Sequence, residues 1–134
     1  MVTSQYLLDS DTLIFISRGQ LDIQLMIEKA GLSNCFISEI SLAELYVGVY
    51  KGTKKSLEPV LKYLEDALET LPISPAIKTF SKLRAQLEAA GARIENFDLL
   101  IAATAIAGGY TLVTHNTRHF SRIPGLKVVD WIGE

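Results

Sequence analysis

Asn96-Phe97-Asp98-Leu99-Leu100-Ile101-Ala102-Ala103-Thr104-Ala105-Ile106-Ala107-Gly108-Gly109-Tyr110-Thr111-Leu112-Val113-Thr114 is the stretch that decides the fold. Asn96 reads as a helix cap and Gly108-Gly109 as a stop, so a helix is predicted between them. It is apolar nearly all round, which places it inside the protein, against a sheet. Thr111 to Thr114 then reads as a strand. A buried helix that feeds a short strand is the repeating unit of a parallel sheet.

The rest of the chain repeats that alternation. Gln5 to Leu8 reads as a buried strand, with Asp9 or Asp11 capping a helix around Thr12 to Ser17. A short helix is predicted from Asp22 to Ala30, ended by Gly31. Cys35 to Ser38 is a second strand. Ser38 or Glu39 opens a helix to about Tyr50, stopped by Lys51-Gly52. Leu57, Val60, Leu61, Leu64 and Leu68 form an amphipathic stripe, with Ser56 as cap and Pro59 in the first turn. Leu71 to Ile73 reads as a brief strand. Ser74-Pro75 opens a further helix that ends at Gly91, its core stripe being Ile77, Phe80, Leu83, Leu87 and Ala90. Lys127 to Val129 is a last strand. The fold class expected is α/β: one three-layer α/β/α domain over residues 1–134, with a central parallel sheet.

The 134 residues suffice for a real hydrophobic core. Hydrophobic residues make up 49%, and the mean hydropathy is +0.25, high for a small domain, so a partner is expected to cover part of the surplus. The net charge of −2 argues against broad electrostatic capture of nucleic acid and leaves room for a local basic rim at Arg118, Arg122 and Lys127. Cys35 is the only cysteine, which excludes an intrachain disulfide and a thiolate metal site. No signal peptide is recognisable. The apolar run from Leu99 to Val113 is interrupted, and it is shorter than the ~18 residues of a membrane span. A cytoplasmic protein, with no membrane partner, is expected.

Three carboxylates stand beside apolar runs. Asp9 closes Tyr6-Leu7-Leu8, Glu44 interrupts Ile40, Ala43 and Val47, and Asp98 heads Leu99 to Ala103. Ionised carboxylates in such places cost free energy unless something positive meets them. In a parallel α/β sheet, strand carboxyl ends and the amino ends of the following helices share one edge, where ligands bind. Asp9, Asp98, Thr114, His115 and Asn116 all fall there. Glu44 lies about five residues into its helix, or ~7 Å at 1.5 Å per residue, and helical side chains lean back toward the amino end. Carboxylates so gathered repel one another, and a divalent cation reverses the effect. All-oxygen ligands favour magnesium or manganese over zinc, and the chemistry implied is metal-assisted phosphodiester hydrolysis.

Each residue has a plainer reading. Asp9 and Asp11 are good caps, Asp98 complements a helix dipole, and Thr114 and Asn116 are ordinary turn residues. His115 and His119, with no cysteine or further histidine to match, are expected at the surface or behind the ligands rather than on a metal. Trp131 is expected as a core or interface anchor.

Taken together, the segments resemble a known pattern. Tyr6 to Ile14 is similar to the opening of PIN-domain nucleases, especially the VapC-type toxins of bacterial toxin–antitoxin pairs. Ile40-Ser41-Leu42-Ala43-Glu44-Leu45 resembles their second acidic motif and Phe97 to Ala103 their third. Leu112 to Phe120, with Ile123-Pro124-Gly125-Leu126, resembles their closing segment. The resemblance implies a PIN fold, a magnesium- or manganese-dependent endoribonuclease acting on RNA, a homodimer and a cognate antitoxin. By position, it implies Asp9 and Asp98 as the main metal ligands. Glu44 would complete the catalytic acids, directly or through water, and Thr114 would support them. Asp11 stands where the family often has asparagine. Asn116 stands where many PIN domains carry a fourth acid, which makes a second tightly bound metal less expected; Asp11 and Asn116 are assigned supporting positions. Other readings stay open: a catalytically inactive PIN-fold interaction module, or an aspartate-dependent phosphatase using Asp9-Ser10-Asp11. A receiver-type signalling domain lacks its acid in Cys35 to Ser38.

Overall fold

The computed structural model describes residues 4–18 and 21–132. In chain order the elements are β1 (Tyr6–Leu8), α1 (Ser10–Ser17), α2 (Leu21–Ala30), β2 (Cys35–Ser38), α3 (Glu39–Tyr50) and α4 (Glu58–Ala67). They continue with β3 (Glu69–Leu71), α5 (Ile77–Ala89), α6 (Asn96–Gly108), β4 (Thr111–Val113), α7 (Thr117–Phe120) and β5 (Val128–Val129). The strands make one sheet in the order β3-β2-β1-β4-β5, every pair parallel.

Successive strand residues point to opposite faces, and the two cores follow from that alternation. Leu7, Phe36 and Leu112 face one way, into a core with Leu83, Leu87, Leu99 and Ile101 from α5 and α6. Leu8, Ile37 and Val113 face the other, against Leu13, Ile23, Leu45 and Leu61 from α1 to α4. Helices therefore cover both faces, as expected of three layers. Leu99 and Ile101 to Ala105 are all buried, so the all-round apolar reading of this helix was correct. Trp131 is buried and packs on Tyr6 with ring centroids 5.0 Å apart, an anchor within the chain.

The order of the strands locates the site. From β1 the chain runs outward through β2 to β3, then returns to place β4 and β5 on the opposite side of β1. The crevice of such a sheet opens where that direction reverses, beyond the carboxyl ends of β1 and β4. Leu8 pairs with Val113, so Asp9 and Thr114 emerge next to each other, and the Asp9 N–H donates to the Val113 carbonyl at 2.9 Å.

Several boundaries differ from the sequence expectation. β3 lies at Glu69–Leu71 rather than Leu71 to Ile73, because pairing with β2 in the register Phe36 to Glu69 sets this edge strand, not its apolar content. α1 begins at Ser10 rather than Thr12. Ser56 and Ser74 do not cap; each lies in a 3₁₀ turn, Lys55–Leu57 and Ser74–Ala76, that leads into α4 and α5. Glu95, not Asn96, occupies the cap position of α6, with no side-chain cap bond. Ile77 and Ala90 are exposed, since they sit at the two ends of α5, while Leu83 and Leu87 at its centre are buried. The short helix α7 was not anticipated.

Gly108 ends α6 under the ring of Tyr110, which packs on Phe36 with centroids 4.9 Å apart. A Cβ at residue 108 would run into that ring. Gly108→Ala is expected to lower stability by about 1–3 kcal/mol, the usual cost of overpacking, despite alanine's better helix propensity. Urea unfolding that shows no loss would mean that the Tyr110 ring swings away freely.

Candidate active site

Asp9 directly follows β1 and is 7% exposed, with its carboxylate at the mouth of the crevice. The Thr114 hydroxyl, fully buried at the end of β4, donates to Asp9 Oδ2 at 2.9 Å. Thr114 in turn accepts the Asn116 N–H at 3.1 Å, which fixes its rotamer. Asp11, in the first turn of α1, accepts the His115 N–H at 3.2 Å and lies 3.4 Å from the Thr114 hydroxyl. Thr12 anchors the same turn by donating to the Val113 carbonyl at 3.2 Å. The β1 and β4 ends are thus stitched together by side chains of α1 and by Thr114.

Burial pushes the Asp9 carboxyl up from 3.8 to about 7, and the neighbouring charges of Asp11 and, less strongly, Asp98 push the same way. The bonds from Thr114 and the Ser10 backbone oppose the rise. The Glu44 carboxyl is also raised, first by burial and then by Asp98 and Glu95, against a hydrogen bond from Ser10. That bond, Ser10 Oγ to Glu44 Oε1 at 3.1 Å, is how α3 is tied to the start of α1. Asp98, in the first turn of α6, receives His119 Nε2 at 3.0 Å on Oδ2.

Asp9, Glu44 and Asp98 therefore do share one edge, as the topology argument expected. Among the described residues none of the three is ion-paired to lysine or arginine. Nor do any three His, Cys, Asp or Glu side chains there stand as a ready-made metal cage. The donor chemistry fits a hard cation all the same. Magnesium keeps several of its waters and is commonly held by one or two carboxylates, which asks less of the protein than a closed cage does.

The apolar face expected around Glu44 is realised only in part: Ile40 is half-buried against the core beneath α5 and α6. Ala43 and Val47, read as its apolar face, lie at the surface, Val47 at 55% exposure, and the buried residues of α3 are Ser41, Leu45, Gly48 and Val49. Glu44 itself is half-buried, and Ser10 reaches it from the start of α1. Asn116 joins the site through its backbone N–H, with its side chain exposed. The His115 ring pairs with Asp130 at 2.9 Å, while its backbone N–H binds Asp11. Arg122, one candidate for a local basic rim, is exposed and binds His119 and the Arg93 carbonyl. Sequence reasoning missed Ser10, whose signal was its place between the two aspartates in the first helical turn.

The PIN domain family model matches residues 6–126, the span from the start of β1 to the approach to β5. The tRNA(fMet)-specific endonuclease VapC of Salmonella typhimurium is 34% identical over 134 residues, covering 95% of this chain and 98% of its own. The fold superposes on VapBC2 of Rickettsia felis bound to a promoter DNA fragment with a TM-score of 0.84, at 34% identity over 94% of this chain and 98% of that one. A toxin–antitoxin complex from Klebsiella pneumoniae gives a TM-score of 0.68 at 27% identity, covering 93% and 96%. These likenesses, with the acids gathered at the switch point of the sheet, set aside the phosphatase and receiver readings: the chain belongs to the PIN-domain family.

Proposed function

We propose that this chain, a single PIN domain over residues 1–134, is a magnesium- or manganese-dependent endoribonuclease and the toxin of a toxin–antitoxin pair. Ribonuclease relatives and toxin–antitoxin complexes of the same fold support the activity and the partner. The observation that carries the reading is the Asp9 carboxyl, pushed up by its burial and then by Asp11 and Asp98, with no lysine or arginine paired to it among the described residues. Such an arrangement is costly on its own and is relieved by a dication.

Asp9 and Asp98 would hold the ion, with Glu44 completing the set directly or through water. The chemistry a cation held there would supply is Lewis-acid polarisation of the phosphoryl oxygen and a more acidic attacking water. The chain's own part is to keep the acids in place: Thr114 orients Asp9, Ser10 holds Glu44, and the His115 N–H steadies Asp11. A trough of about 840 Å³ lined by Arg84, Glu88, Arg93, Ile94, Glu95 and His119 lies on the Asp98 side of the site, where His119 binds that acid, and would offer a path for a single strand. Val47, Tyr50 and Tyr63 on α3 and α4 are exposed apolar side chains that a cognate antitoxin or a second copy in a homodimer would cover. The RNA it acts on would be cytoplasmic; among the described residues no helix is long and apolar enough to cross a membrane.

Purified chain, free of any partner, is expected to cut RNA internally with added magnesium or manganese. It should stop with chelator, recover on re-addition of the metal, and be inert as Asp98→Asn. Cleavage that persists in chelator and in Asp98→Asn alike would refute the metal-dependent reading.

A further inference from the structure

The side chain of Asp98 is 34% exposed, and among the described residues it receives one side-chain hydrogen bond, from His119. His119 lies in α7, immediately after β4, so its ring spans from the β4 side of the crevice to the first turn of α6. Its other nitrogen is also engaged. Arg122 Nη2 lies 2.9 Å from His119 Nδ1. Arg122 is itself held, with Nε on the His119 carbonyl at 3.2 Å and Nη2 on the Arg93 carbonyl at 3.2 Å. An arginine only donates, so Nδ1 must be the accepting nitrogen and the ring hydrogen must sit on Nε2, facing Asp98. Neither nitrogen is then left for a metal.

We infer that His119 is a positioning residue: Arg122 locks its tautomer, and the ring fixes Asp98 so that the second carboxylate oxygen is presented to the cation. The inference rests on the reading of Asp98 as a metal ligand. Physically the gain is in preorganisation. A partly exposed aspartate samples several rotamers, and an outer hydrogen bond that selects one of them raises affinity for the ion without touching it. The same link joins α6 to α7, so that the Asp98 end of the crevice keeps its distance from the β4 end.

The test uses the full, partner-free chain and manganese alone as the probe. Calorimetric titration should show His119→Ala binding manganese at least about tenfold more weakly, the range expected for a lost outer-shell partner. His119→Gln, whose amide can still donate to Asp98, should recover most of the loss, and Arg122→Met should fall between. Nitrogen NMR of the ring should find the hydrogen on Nε2 in the wild type and a mixture of tautomers in Arg122→Met. A wild-type ring hydrogen on Nδ1, or a folded His119→Ala with wild-type manganese affinity, would overturn the inference. If His119→Ala does not fold, the glutamine and Arg122 variants decide it. Wild-type protein that binds no manganese would instead remove the metal reading of Asp98, while the NMR still reports on the hydrogen bond itself.

Discussion

Asp9→Asn is expected to reduce RNA cleavage on the order of a thousandfold, the scale seen when one preorganised electrostatic contact to the reacting group is removed. The same substitution should make the metal-free protein more stable at pH 8. These opposite effects share one cause. Asparagine keeps the shape, and its amide oxygen still accepts from Thr114, so the β1–β4 junction persists. What disappears is a buried charge beside Asp11 and Asp98. The site therefore sacrifices stability for ion binding. An Asp9→Asn protein that is inactive because it has unfolded would contradict this account, and so would one that keeps wild-type activity. Cleavage assays paired with urea unfolding on the same sample distinguish the two.

Without metal, stability should fall as pH rises from 5 to 8, by an amount traceable to Asp9. Its folded carboxyl titrates at about 7, against 3.8 when unfolded. The folded state therefore holds a proton that the unfolded chain has released. The stability linked to that proton is fully present below about pH 4 and is lost as pH passes through 7. Each tenfold difference in proton affinity is worth about 1.4 kcal/mol, so the loss amounts to a few kcal/mol. Glu44, shifted the same way, adds to it. Subtracting the Asp9→Asn profile from that of the wild type in chelator removes the contributions of the other acids and histidines. The difference should grow toward pH 8. Added magnesium should shrink it there, because the ion binds the deprotonated acid. A flat difference curve would show that Asp9 is not held up by its surroundings.

The fold was legible from Leu99 to Val113, because an apolar helix that feeds a short strand has few places to go. The placement of Asp9, Asp98 and Thr114 on one edge followed from connectivity, since it depends only on where strands end and helices begin. Glu44 was found for a partly mistaken reason. A helix with apolar residues on every side announces no inner face, and only packing decided that Leu45 and Val49 go in while Ala43 and Val47 stay out. Its partner Ser10 lies 34 positions away, a distance over which pattern carries no information. His119 was expected only at the surface or behind the ligands, and its bond to Asp98 could not be read, because it depends on how α7 is turned against α6. Helix caps failed where a 3₁₀ turn took up the orphan amides before the α-helix began.

Thr114 meets Asp9 across 105 positions of sequence. A chain emerging from the ribosome has Asp9 and Glu44 outside well before β4 is free of the exit tunnel, and Asp98 only one helix ahead of it. Until then the aspartate has neither its threonine nor its neighbouring strand, and the crevice has one wall. The acids are thus set in order only once β4 has joined β1. The site is in this way left incomplete during synthesis until β4 is made, by topology alone.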